Sequence, residues 1–181
     1  AGIKTVFPTT PADAKSLLLA AIFEDDPVAV FAPVGVYGTS GEVPEELVIA
    51  PLGQGVVRRA GTDVTVVAGG PHALQALALA ERMKAEGISV EVWDPLTLLP
   101  LDKAGLETSV NKTGRLVVFD DSNRTCGFAA EVSGLAAERC FHALKAPIKR
   151  VTRADVVVPY SAPIEAEVLA TGATFTAASA E

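Results

Sequence analysis

Cysteine is scarce in this chain, and what is scarce here excludes whole classes of protein. Its two cysteines, Cys126 and Cys140, lie 14 residues apart and match neither zinc-ligand nor redox-motif spacing. They give no basis for a disulfide framework and fit a reducing compartment. Cations are also in the minority: 15 Lys and Arg stand against 22 Asp and Glu, a formal net charge of -7. Nucleic-acid binding requires clustered cations to neutralise phosphate, so no nucleic-acid partner is expected. Long apolar runs are missing too. Charge, proline or glycine breaks each one well before the roughly 18 residues of a membrane helix, so no membrane span is expected. The N-terminus has no basic start leading into a continuous apolar stretch, so no secretory signal is expected there. Cytoplasmic placement follows as the default, with the mitochondrial matrix as the alternative if a transit peptide has been removed. Aromatics make up only 6% of a chain that is 49% hydrophobic, so alanine and valine must build the core, which suits helices packed closely on a sheet.

What is present alternates between two periodicities. Residues 3–7 read as a strand, and Thr10 then caps a helix with Pro11 at its first position and Asp13 at its third. Residues 14–23 are apolar at helical spacing, 24–27 stop the helix, and 28–32 form a second strand. A stretch rich in glycine and proline, residues 33–55, reads as linker. From residue 61 the pattern is regular. Strands are expected at 64–68, 88–93, 116–119 and 148–151, and helices at 72–86, 101–111 and 128–144. Alternating strands and helices imply right-handed crossovers, and the continuous apolar strands imply two covered faces. The expected fold is α/β: a three-layer, doubly wound, mostly parallel sheet over residues 58–181, preceded by a partial β-α-β unit in residues 1–57. One such unit leaves strand edges and a helix face bare, and is not expected to form a domain unaided.

The residues also carry a resemblance. Gly2-Ile3-Lys4-Thr5-Val6-Phe7-Pro8 with Thr10-Pro11-Ala12-Asp13-Ala14-Lys15 is similar to a segment of the beta subunits of thiamine-diphosphate-dependent 2-oxo-acid dehydrogenases. The likeness continues through Asp25-Asp26-Pro27-Val28, Gly61-Thr62-Asp63-Val64, Leu96-Thr97-Leu98, Arg124-Thr125, Gly127-Phe128, Arg150-Val151-Thr152 and Pro159-Tyr160. Each match alone is modest, but they are collinear over nearly the whole chain. The resemblance implies a C-terminal half, with a remnant of the pyrimidine-binding domain in 1–57 and a transketolase-type C-terminal domain in 58–181. It implies an alpha subunit, a second beta subunit and a dihydrolipoyl acyltransferase as partners, and oxidative decarboxylation of pyruvate or a similar 2-oxo acid as the reaction of the whole enzyme. Thiamine diphosphate and Mg2+ would be held elsewhere, because the motifs that hold them have no counterpart here. No catalytic or cofactor-binding residue is therefore expected in this chain, and alone it should be inactive.

Candidate sites follow from the same comparison. Ala21, Glu24 and Asp26, at a helix end with unpaired carbonyls, match positions that bind potassium in several relatives, and a solvated acidic helix end is the plain alternative. Arg124 lies between a strand's carboxyl end and a helix start, where it would hold an anion or a subunit contact. Lys145 stands where relatives often carry an acid that pairs with the acyltransferase, so its reversed charge places that docking in doubt. Gly69-Gly70 reads as a tight turn and not as a phosphate cradle. His72 and His142 lack ligand-spaced partners and read as surface or boundary histidines. The rival readings are a stand-alone interaction module and the C-terminal part of a transketolase or deoxyxylulose-phosphate synthase.

Overall fold

The computed structural model describes residues 2–171. The chain opens with β1 (Lys4–Val6), α1 (Pro11–Phe23) and β2 (Val28–Val30), a parallel β-α-β unit. The side chain of Thr10 accepts from the Asp13 amide at 3.2 Å, while Asp13 Oδ2 accepts from the Thr10 amide at 2.7 Å. This reciprocal pair fixes where α1 begins. Residues 33–55 contain a short 3-10 turn, Val34–Val36, and otherwise run without regular structure.

The second part runs β3 (Val56–Arg59), β4 (Val64–Val67), α2 (Gly70–Ala85), β5 (Val90–Asp94), β6 (Thr97–Leu99), α3 (Lys103–Thr113), β7 (Leu116–Asn123), α4 (Phe128–Cys140), β8 (Lys149–Arg153) and α5 (Ala162–Val168). Five of its strands form one sheet in the order β3-β5-β4-β7-β8, parallel except for β3. Successive residues of a strand point to opposite faces, so Val66 and Val67 of β4 enter different cores. Val66 joins Val92, Val117 and Phe119 beneath α2, and Val67 joins Trp93, Leu116 and Val118 beneath α3 and α4. The three-layer doubly wound sheet is the fold the pattern predicts.

Several details differ from the sequence expectation. β3 and β6 were not expected. β3 has two valines followed by two arginines, and its pairing with β5 shifts register between Val57 and Arg59, so it lacks the pattern of a core strand. β6 follows Leu96, whose φ is +53°, and pairs antiparallel with β1 (Thr5 opposite Leu99, Val6 opposite Thr97). The first unit thus sits in a separate sheet of order β2-β1-β6, completed on one side by a strand from the second part. β7 runs on to Asn123, through acidic residues read as loop, and α4 ends at Cys140 before a 3-10 turn, Phe141–Ala143. His72 is not at the surface: α2 begins at Gly70 and turns its first residues onto the sheet, where His72 is 9% exposed and meets the Phe119 ring edge-on.

Candidate functional site

In a doubly wound sheet, ligands lie over the carboxyl ends of the strands, where successive crossovers leave in opposite directions. Here that switch falls at β4, between β5 and β7. The loop leaving β4 does not cradle a ligand; it receives the chain's own first segment. Gly70 has φ +54°, and a Cβ there would lie 2.5 Å from Phe7 and 3.1 Å from Pro33. The glycine is required because Phe7 and Pro33 fill the space a side chain would occupy. The Gly70 amide, at the start of α2, donates to Thr9 Oγ1 at 2.8 Å. With Phe7 and Pro33 in that space and the Gly70 amide bonded to Thr9, the turn does not fit the diphosphate of a thiamine coenzyme.

Thr9 is the first member of a buried polar network joining the two parts. Its hydroxyl donates to Asp94 Oδ2 at 2.6 Å, and the Leu96 amide donates to Asp94 Oδ1 at 3.1 Å. Arg58 Nε donates to Asp94 Oδ2 at 3.1 Å, and Nη2, also 3.1 Å from that oxygen, donates to Asp13 Oδ2 of the α1 capping box. The Asp94 side chain is 0% exposed and Arg58 17%. Burial pushes the Asp94 carboxyl above its ordinary range, opposed by its bonds to Thr9, Arg58 and Leu96. One guanidinium therefore ties the N-terminus of α1 to the end of β5. Thr9→Val, which keeps the shape and removes the hydroxyl, strips one bond from Asp94 and leaves the Gly70 amide without an acceptor. Its expected cost is about 1–3 kcal/mol, read as a lowered urea midpoint at unchanged slope.

The positions singled out from the sequence lie elsewhere. Ala21 is in the last turn of α1, and Glu24 and Asp26 follow it. Lys4 brings the two acids together: its ammonium lies 2.8 Å from Glu24 Oε1 and 3.1 Å from Asp26 Oδ2. The hydrogen bond with Glu24 raises the Lys4 pKa, and the same bond lowers that of Glu24. Among the described residues, no cluster of three or more His, Cys, Asp or Glu is arranged to hold a metal.

Arg124 is in the turn that follows β7, beside the edge strand β8. It donates to the Arg150 carbonyl at 3.2 Å, and Arg150 donates back to the Arg124 carbonyl at 2.9 Å. The next residue, Thr125, donates through amide and hydroxyl to Asp155, at 3.0 and 2.6 Å. Lys145 Nζ donates to the Thr113 carbonyl at 3.1 Å, at the C-terminus of α3, where a cation meets the negative end of the helix dipole. The histidines, the cysteines and the glycine pair converge on no common centre. The residues that do converge are Thr9, Asp13, Arg58 and Asp94. Of these only Asp13 had a local signature, as a capping residue.

The family described as "Transketolase, C-terminal domain" matches residues 53–174. The chain is 44% identical over 170 residues to the acetoin:2,6-dichlorophenolindophenol oxidoreductase subunit beta of Bacillus subtilis (strain 168), covering 94% of this chain and 50% of that protein. It is 40% identical over 161 residues to the pyruvate dehydrogenase E1 component subunit beta of the same organism, covering 88% of this chain and 50% of the relative. Against the 2-oxoisovalerate dehydrogenase subunit beta of that organism the identity is 38% over 166 residues, covering 91% and 51%. A solved structure, "Split gene transketolase, inactive beta4 tetramer", superposes with a TM-score of 0.79 at 25% identity, over 97% of this chain and 55% of that one. The chain spans about half the length of the curated relatives it matches. On the family match, which spans two thirds of its length, the chain belongs to the transketolase C-terminal domain family.

Proposed function

We propose that this chain serves as the C-terminal portion of the beta subunit of a thiamine-diphosphate-dependent dehydrogenase, and that it supplies assembly surfaces while other polypeptide supplies the groups that touch the coenzyme. Bound thiamine diphosphate furnishes the carbanion chemistry of such enzymes. Within this chain, residues 1–57 form the remnant of the pyrimidine-binding domain and residues 58–181 the second domain. The observation that carries the reading is the state of the first unit. α1 is apolar nearly all round its circumference, as helices buried on every side are, yet only Leu17 and Ala20 are buried while Leu18, Ile22 and Phe23 are 50%, 64% and 65% exposed. A helix of this composition calls for cover on its outer face, and among the described residues no strand pairs with the outer edge of β2. A further stretch of polypeptide about as long as this one, of the kind the relatives carry, would provide both. The expected partners are therefore that stretch, an alpha subunit and a second beta subunit.

The substrate is a 2-oxo acid such as pyruvate or a branched-chain analogue. Acetoin is the second reading, favoured by the 44% and 41% identities to acetoin oxidoreductase beta subunits. The test is reconstitution. The purified chain, given thiamine diphosphate, Mg2+ and an artificial electron acceptor, is expected to turn over neither pyruvate nor acetoin. The same chain joined to the preceding segment of its gene and co-expressed with the alpha subunit is expected to turn over one of them. Turnover by the chain alone, or no binding of an alpha subunit by the joined form, would defeat the proposal.

A further inference from the structure

The two cores of the second sheet are built without the first unit. Among the described residues, every member of both clusters lies at Val64 or beyond. Val6, Leu17 and Ala20, the buried aliphatic residues of the first unit, join neither. Helix α1 packs on β2 of its own unit. The second part therefore keeps its apolar interior whether or not the first is seated on it.

What seats the first unit is short and largely polar. Strand β1 pairs with β6 at Thr5 and Val6, and the Phe7 amide donates to the Leu96 carbonyl at 2.8 Å. Thr9 then bonds Asp94 and the Gly70 amide, and Arg58 holds Asp13. The apolar share is Phe7 and Pro33 against the Gly70 turn, with Gly35 beside Pro71. The linker also divides at one place. Lys15 Nζ donates to the carbonyls of Pro44 and Glu45, and the Ala50 amide donates to the Ser16 carbonyl at 3.3 Å, so residues 44–50 are lashed to α1. Three residues on, the Gly53 amide donates to Thr97 Oγ1 at 3.1 Å, and Gly53 has φ +82°. Ties to the first unit thus stop at Ala50 and ties to the second part begin at Gly53, which leaves Pro51 and Leu52 as the joint.

We infer that residues 2–50 form a cover, latched by Arg58 and jointed at Pro51-Leu52, that is released as one cooperative unit while the five-stranded sheet stays folded. Segments with few buried apolar contacts open at a lower free energy than the core that carries them. Once undocked, a lone β-α-β unit has too little interior to hold its own structure. Release bares the Gly70 amide and the Asp94 carboxylate at the switch point, the place where doubly wound sheets take ligands. None of this depends on which reaction the assembled enzyme performs.

Native-state hydrogen exchange of the 181-residue chain, followed by mass spectrometry over a urea series below the melt, tests the release. Amides of β1, α1 and β2 should exchange together through an opening that depends weakly on urea, because it exposes little surface. Those of α2, β4, β5 and β7 should follow the steep dependence of global unfolding. Arg58→Met should speed exchange in α1 by about a hundredfold or more. Val118→Ala, in the core beneath α3 and α4, should speed exchange in the second part by about tenfold or more and leave α1 as it was, since Val118 keeps its packing when the cover departs. A common urea dependence for α1 and the core overturns the inference, and that measurement on the wild-type chain needs no variant to fold. Exchange of α1 with β1 still protected would be fraying of one helix, and overturns it too. So does equal acceleration of α1 and the core by Val118→Ala, or α1 exchange unmoved by Arg58→Met.

Discussion

Replacing Arg58 by methionine is expected to lower the unfolding free energy by about 3–5 kcal/mol, the usual cost of leaving a buried charge without its partner. The stem of methionine fills much of the arginine's volume, so the loss isolates the guanidinium. That group alone spans Asp13 and Asp94. Without it Asp94, fully buried at the end of β5, keeps only the Thr9 hydroxyl and the Leu96 amide. The pH dependence separates this cause from simple loss of packing. Because burial holds the Asp94 pKa above its ordinary value, the folded chain binds that proton more tightly than the unfolded chain does. Its contribution therefore rises as pH falls through the raised value, and is complete below the ordinary carboxylate value. Removing Arg58 deletes an influence that holds the pKa down, so in the variant the rise begins at higher pH. The deficit against the wild type should be largest near neutrality and shrink on acidification, with denaturant melts at several pH values as the readout. A deficit below about 1 kcal/mol, or one independent of pH, would show that the guanidinium is solvated and joins nothing.

This network also marks the limit of what the sequence discloses. Strands β4, β5 and β7 announce themselves through valine-rich segments buried on two faces, whereas β8, with Val151 alone buried, is legible mainly from its place after α4. The Thr10 cap and the Gly114 helix stop are local chemistry and are equally legible. β3 and β6 are not, because three or four residues held by antiparallel partners elsewhere carry no periodicity of their own. The convergence of Thr9 on Asp94 spans 85 residues, and of Arg58 on Asp94 36, with nothing local to either residue that names its partner. Glu24 and Asp26 stand out as acids at a helix end, while the Lys4 ammonium that meets both, 22 residues before Asp26, is invisible at that range. The contact of the Lys145 ammonium with the Thr113 carbonyl, at the C-terminus of α3 and 32 residues away, is likewise not disclosed by the sequence. Residues 172–181 lie outside the described structure, so what was expected of them stays at the level of sequence.

Trp93→Ala is expected to match Arg58→Met in size, at about 3–5 kcal/mol, through the opposite kind of interaction. The indole is 1% exposed and packs in the core formed with Val67, Leu106, Val110 and Val118. Its outer edge supports the entry to β3: a Cβ on Gly55 would lie 2.4 Å from Trp93 Cζ2, so the ring occupies the space a side chain there would need. The Gly55 amide is held at 3.0 Å by Asp102, which caps α3 through its other oxygen. Strand entry, helix cap and indole are thus packed as one unit, and substitutions within it should not add. Gly55→Ala alone overpacks the site and should cost about 1–3 kcal/mol. In the double variant the new methyl enters the space the indole has left, so the combined cost should fall short of the sum by more than the roughly 0.3–0.5 kcal/mol within which independent sites add. Strict additivity in urea melts would mean that the backbone at Gly55 moves away from the ring freely. In that case the short strand carrying Arg58 to Asp94 is held by its hydrogen bonds to β5 and not by the core beneath it.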